Sequence, residues 1–205
     1  MDFDSVQKER PSLQMLFDDL FHPNPNINRQ ACMEMILYWP KESIPRLILN
    51  LKEKDIAIRR KSIKALAFFG DAALNPVIEN FFATNDPTVQ ISCLKTLVKI
   101  AAFEQYSLLS SSLEELIHLC LKNEDSQMIL VTVCLLRQLG QTGLPILIQA
   151  SKDKNILLAK AAVTALGEFN ELSARNCLRE LLENESTDEL IKESIVDSLS
   201  IYGKD

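Results

Sequence analysis

Two stretches of this chain, DIAIRRKSIKALAFFGD at 55–71 and NILLAKAAVTALGEFNE at 155–171, superimpose at an offset of 100 residues. Ile56 falls on Ile156, Ile58 on Leu158, Ala65-Leu66 on Ala165-Leu166, and Phe69 on Phe169, and the acid after the apolar run recurs as Asp71 and Glu171. This self-similarity constrains the fold more than any other feature. A short unit that recurs has too little core of its own and must bury its apolar face against its copies. It also sets how function is read, because residues shared by the copies hold the array together and residues that differ are free to bind.

Five glycines and almost no alternating β-branched runs predict helices throughout. Gly70, Gly140 and Gly203 each follow an apolar run, as helix C-terminal caps do. Ile44-Pro45, Asn75-Pro76 and Leu144-Pro145 place proline in the expected first turns. Between these signals lie six helix pairs, expected at 12–39, 43–70, 74–101, 113–140, 144–169 and 173–203. Their second helices align through Ile27, Ile58, Val89, Met128, Leu158 and Ile191, and again through Met35, Leu66, Leu97, Leu136, Leu166 and Leu199. Successive offsets are 31, 31, 39, 30 and 33 residues, the long step holding the serine-rich FEQYSLLSSS at 103–112, which reads as a longer loop. The expectation is an all-α fold, an α-solenoid of about six helical pairs forming a single domain over 1–205.

A net charge of −6 argues against nucleic acid as the main partner. The apolar runs are too short for a membrane insertion, and MDFDSVQKERPSL is too acidic and polar for a secretory signal, so the chain is expected in the cytosol or an organelle equivalent. Cys32, Cys93, Cys120, Cys134 and Cys177 stand singly, without a metal-ligand spacing, and read as buried structural thiols. Catalytic signatures are missing: the sequence has no nucleophile elbow and no glycine-rich phosphate loop. His22, in the HPNPN turn, reads as a turn residue, and His118 as a satisfied, partly buried side chain. Tyr38 and Trp39 read as packing of the terminal unit.

The copies differ along the face where second helices of a solenoid meet extended partners. The column equivalent to Arg60 runs Arg29, Arg60, Ile91, Leu130, Lys160, Glu193; one turn later it runs Met33, Lys64, Lys95, Cys134, Thr164, Asp197. Residues 41–70 carry 8 basic and 3 acidic side chains, whereas 171–205 carry 4 and 9. Two readings of that asymmetry stand side by side. In one, Leu130, Val131 and Cys134 are core and the lysines a solvated edge. In the other, Arg29, Arg60, Lys64 and Lys95, with an apolar floor of Ile91, Leu130 and Cys134, hold a partner or an apolar ligand bearing carboxylates.

The pattern of an acid, an apolar side chain three residues on and then Arg, followed by Ala-Leu and Gly-Asp, is that of HEAT (Armadillo-like) repeats; Asp55-Ile56-Ala57-Ile58-Arg59, Ala65-Leu66 and Gly70-Asp71 carry it. In such arrays the acid and the Arg commonly bond between neighbouring units, the role expected of Asp55 and Arg59. Four segments, HPNPNINRQACMEM, IPRLILNLKEKDIAIRRKSIKAL, NDPTVQISCLKTLVKIA and ESTDELIKESIVDSLS, resemble in order and spacing the HEAT-repeat phycobilin lyase family. That family includes the E/F-type subunits and the Y- and Z-type proteins of phycoerythrin maturation; the short Z-type is the nearest in length. The resemblance implies an accessory or chaperone-like role in attaching a linear tetrapyrrole (a phycobilin) to cysteines of phycobiliprotein subunits, alongside a larger HEAT-repeat lyase. It implies cyanobacterial cytoplasm or plastid stroma, with no permanently bound cofactor and a phycobilin as transient ligand. A lyase subunit active with a partner chain, and a scaffold in iron–sulfur cluster assembly, are the alternatives. No catalytic residue carries over by motif.

Overall fold

The computed structural model describes residues 10–103 and 109–200. Among the described residues there are twelve α-helices and no strand, in six consecutive pairs. They are α1 (Leu13–Leu20) with α2 (Pro25–Tyr38), α3 (Pro40–Leu49) with α4 (Ile56–Phe68), α5 (Asp71–Phe82) with α6 (Pro87–Ala101), α7 (Ser111–Leu121) with α8 (Ser126–Gln138), α9 (Leu144–Ala150) with α10 (Ile156–Leu166), and α11 (Leu172–Glu183) with α12 (Glu189–Ser200). The second helices pack on one another in order, α2 on α4, α4 on α6, α6 on α8, α8 on α10 and α10 on α12. This is the expected solenoid of helical pairs.

Each second helix begins with the same device. Asn24, Asp55, Asp86, Asp125, Asn155 and Asp188 each accept a hydrogen bond from the backbone N–H two residues on, at 2.7–3.0 Å. Each satisfies a donor that the helix itself leaves unpaired. This corrects the expectation for Asp55 and Arg59. Asp55 caps its own helix, and Arg59 Nη1 donates to the Glu53 and Lys54 carbonyls at 2.6 and 2.9 Å, so both tie down the loop before α4 instead of joining units.

The two shared columns form the core. Val89, Met128, Leu158 and Ile191 are buried and Ile27 and Ile58 half-buried; Met35, Leu66, Leu97, Leu136 and Leu166 are buried and Leu199 half-buried. Full burial of such side chains stabilises by about 1.5–3 kcal/mol each. Gly70 and Gly140 have φ of 54° and 57°, a left-handed conformation that glycine adopts without strain after a helix; Gly203 lies outside the described residues.

The expected boundaries shift at the prolines. Pro145 sits in the first turn of α9, but Pro45 and Pro76 lie inside α3 and α5, which begin at Pro40 and Asp71. A proline that deep removes one backbone bond and crowds the preceding turn, so surrounding packing has to hold these helices together across it. The serine run also divides differently. Ser110 caps α7, its Oγ accepting from Leu113 N at 3.3 Å, and Ser111 and Ser112 are helical; residues 104–108 of the expected loop lie outside the described residues.

Trp39 and Tyr38 do finish the first unit. Trp39 Nε1 donates to the Pro11 carbonyl at 2.9 Å, the Arg10 guanidinium lies 3.5 Å from the Trp39 ring, and Arg10 also bonds the Tyr38 carbonyl.

Candidate functional site

Positions 60 and 64 of α4 are one turn apart and share a helix face. In all six units the residues at these two positions are exposed, with the single exception of Ile91, which is 8% exposed. A continuous free stripe therefore runs along the stacked second helices. It passes from Arg29 and Met33 through Arg60, Lys64 and Lys95 to Leu130 and Cys134, and ends at Glu193 and Asp197. The charge of the stripe changes sign along its length, from basic in the first three units to acidic in the last.

The reading of Leu130 and Cys134 as core is corrected here. Leu130 is 42% exposed and the Cys134 thiol is exposed, while Val131, at another angle, is half-buried. The apolar face of α8 that packs is carried by Met128, Ile129, Val133, Leu135 and Leu136. Ile91 is in turn too buried to offer a ligand much surface. Cys32, Cys93, Cys120 and Cys177 are buried, as expected. Burial pushes the Cys32, Cys93 and Cys120 thiols up to about 11; at Cys32 the nearby Lys64 ammonium pulls the other way.

The basic cluster divides by role. Lys61 points back to the first unit, its Nζ donating to the Phe21 and His22 carbonyls at 2.9 and 3.0 Å. Arg60 and Lys64 remain exposed on the stripe. Arg29 and Lys64 are brought together in a crevice between α2 and α4 that Cys32 and Phe68 also line. Arg29 is shared with a broader trough of about 760 Å³ along α2, whose apolar wall is Met33, Ile36 and Leu37. Lys95, Leu130 and Cys134 continue the stripe without lining either depression.

Leu37 and Phe68 are the residues that the two columns missed. They occupy equivalent positions one turn beyond Met33 and Lys64, and extending the column by that turn finds them in the sequence. Leu37 is 68% exposed, and Phe68 stacks on the exposed Phe103 with ring centroids 6.5 Å apart. The basic end of the stripe is thus amphipathic, with guanidinium and ammonium groups beside aromatic and aliphatic surface.

The histidines lie elsewhere. His22 Nδ1 accepts from Asn24 N at 3.0 Å inside its turn. His118 differs from expectation: it is exposed on the first helix α7, 3.9 Å from Glu114, because its position falls outside the buried set Leu113, Leu116, Ile117 and Cys120. Among the described residues no group of three His, Cys, Asp or Glu side chains could hold a metal ion, and no helix is long and apolar enough to cross a membrane. The chemistry on offer is recognition of anionic groups next to apolar surface.

No protein-family model matches the chain. Among curated proteins it is 29% identical to the bilin biosynthesis protein CpeZ of Synechococcus sp. (strain WH8020), over 83% of this chain and 95% of that one. It is 24% identical to phycocyanin operon protein Z of Pseudanabaena tenuis (strain PCC 7409), over 92% of this chain and 94% of that one. Among solved structures it aligns with a designed armadillo repeat protein in complex with the peptide (KR)4, at 13% identity and TM-score 0.45, over 94% of this chain and 100% of that one. It also aligns with the complex of CpcE and CpcF of phycocyanin lyase from Nostoc sp. PCC7120, at 15% identity and TM-score 0.33, over 98% of each chain. By sequence, over most of its length, the chain is similar to a protein of bilin biosynthesis and to one of a phycocyanin operon.

Proposed function

We propose that this chain is an accessory subunit of phycobiliprotein chromophore attachment, acting in cyanobacterial cytoplasm or plastid stroma. It binds phycobiliprotein subunits, a larger bilin lyase, or both, and so assists thioether bond formation between a linear tetrapyrrole and cysteine. The observation that carries the site is the free stripe along the second helices, basic at Arg29, Arg60, Lys64 and Lys95 and apolar at Met33, Phe68, Leu130 and Cys134. A linear tetrapyrrole has apolar rings and two propionates. Guanidinium and ammonium groups bind carboxylates by charge-assisted hydrogen bonds, and adjoining apolar side chains cover ring surface. An acidic patch on a protein partner meets the same groups.

The likeness to a bilin biosynthesis protein over most of the chain supports the process, and the stripe supports the place. Handing on a bilin as a transient ligand needs neither a nucleophile nor a base on this chain. The test is the affinity of the Lys64→Glu/Lys95→Glu double variant for a phycobilin and, separately, for phycobiliprotein subunits. Both side chains are exposed, so the variant is expected to keep the wild-type circular dichroism. Loss of bilin affinity alone makes the stripe a pigment site, and loss of subunit affinity alone makes it a protein site. Unchanged affinity for both in a folded variant removes the site.

A further inference from the structure

The inner second helices are stripped of acids. Among the described residues, α4, α6, α8 and α10 carry eight basic side chains and no acidic one, in a chain with 28 acidic and 22 basic residues. Three of the eight serve the fold: Arg59 and Lys61 bond backbone carbonyls, and Arg137 pairs with Glu168. The other five, Arg60, Lys64, Lys95, Lys99 and Lys160, are exposed, as is Arg29 on α2. No acidic side chain of the described residues lies within ion-pair distance of any of them. Arg60 with Lys64, and Lys95 with Lys99, are like charges one turn apart, an arrangement that costs a helix some stability. The acids sit instead on first helices, in loops and on α12, so this positive row is left for an anion from outside.

Spacing narrows down the anion. Packed helices lie about 8–10 Å apart, which puts the axes of α2 and α6 about 16–20 Å from each other. The two propionates of a linear tetrapyrrole stand on adjacent rings, and they serve one helix or two neighbours, leaving the rest of the row unpaired. An extended protein segment rises about 3.3 Å per residue, so one lying along the row meets a new helix about every third residue. Acidic side chains three residues apart then fall on successive helices. Over α8 the row turns apolar, at Leu130 and Cys134, and at α12 Glu193 and Asp197 repel any longer acidic run.

We propose that the stripe receives one extended segment of a protein partner, with an acidic side chain at every third residue over α2, α4 and α6 and apolar side chains over α8. This rests on the stripe being the site of the proposed function, and it names protein, not pigment, as the occupant.

Fluorescence anisotropy with labelled peptides of about twelve residues tests it. One, two or three glutamates, spaced three residues apart, precede a pair of leucines, and serine fills the other positions. In low salt each added glutamate is expected to tighten binding about two- to fivefold, with the gain shrinking in high salt. Lys95→Glu/Lys99→Glu replaces two exposed side chains, and circular dichroism checks its fold. That variant is expected to lose the gain from the third glutamate and keep the gain from the second, since α2 and α4 are untouched. Affinity that does not rise with the number of glutamates overturns the proposal. So does an equal rise when lysines take their place, or a folded variant that binds all three peptides as the wild type does. Peptides that fail to bind while Lys64→Glu/Lys95→Glu loses phycobilin affinity overturn this inference and leave the stripe a pigment site. Peptides that bind as expected, with chromophore attachment indifferent to this chain, uphold the inference and remove the accessory role.

Discussion

Replacing Lys61 by methionine separates the structural part of the basic cluster from the part free to bind. Lys61 Nζ donates to the Phe21 carbonyl at 2.9 Å and to the His22 carbonyl at 3.0 Å, joining α4 to the turn that follows α1. Asn28 Nδ2 still serves the His22 carbonyl at 2.7 Å in the variant, so the larger loss falls on the part-buried Phe21 carbonyl. A hydrogen bond from a charged donor contributes about 1.5–3 kcal/mol. With solvent near the ammonium and the stem retained by methionine, a total of about 2 kcal/mol is expected. For a chain of this size that lowers Tm by roughly 4–8 °C. Lys64→Met, one turn along and exposed, is expected within about 0.5 kcal/mol of wild type. Urea denaturation reads both, with the midpoint falling for Lys61→Met and the slope unchanged. Hydrogen exchange adds the location, since α1 and the following turn lose protection while α10 keeps it. Equal midpoints for the two variants would refute the division of the cluster.

Three other outcomes follow from the packing. Gly167 follows the last residue of α10, and Gly167→Ala sets a Cβ 2.7 Å from Ser198 Cβ, so destabilisation of about 1–2 kcal/mol is expected, with Ser198→Gly restoring part of it in thermal melts. Under native conditions a thiol reagent should modify the exposed Cys134 far faster than Cys32, Cys93 or Cys120. Those three thiols keep their protons to about pH 11 when folded and lose them near the ordinary 9.0 when unfolded, so their contribution is full below pH 9 and is lost as pH rises toward 11; urea midpoints at pH 8 and 10 measure the fall. Arg137→Met removes a two-pronged pair with Glu168 at 2.5 and 2.7 Å, but both side chains are partly exposed, so the cost is expected below about 1 kcal/mol and smaller still in high salt.

The repeat was legible because one physical requirement recurs, an apolar column every thirty or so residues that each second helix buries on one face. The cap that Asp55 and its five counterparts supply to their own helices was not, because the acid was read as a bond between units. The prolines misled for the opposite reason. Pro45 and Pro76 mark helix starts by propensity, yet tertiary packing carries α3 and α5 through them. The stripe was legible at Arg29, Arg60, Lys64 and Lys95, where charge keeps the side chain in water. It was ambiguous at Leu130 and Cys134, since an apolar residue between two helix faces is assigned only by its angle to the neighbouring helices.

The most direct test of an accessory role is co-expression with phycoerythrin subunits and a phycobilin supply, with the larger lyase present or absent and this chain present or absent. Bilin fluorescence on the denatured subunits reports covalent attachment, and the amount of soluble subunit reports folding. The account predicts more attached bilin, or more soluble chromophorylated subunit, when this chain joins the larger lyase, and no attachment by this chain alone. Attachment without the larger lyase would make it an enzyme in its own right. No effect on attachment or solubility in any combination would contradict the account and favour a scaffold outside pigment chemistry, as in iron–sulfur cluster assembly.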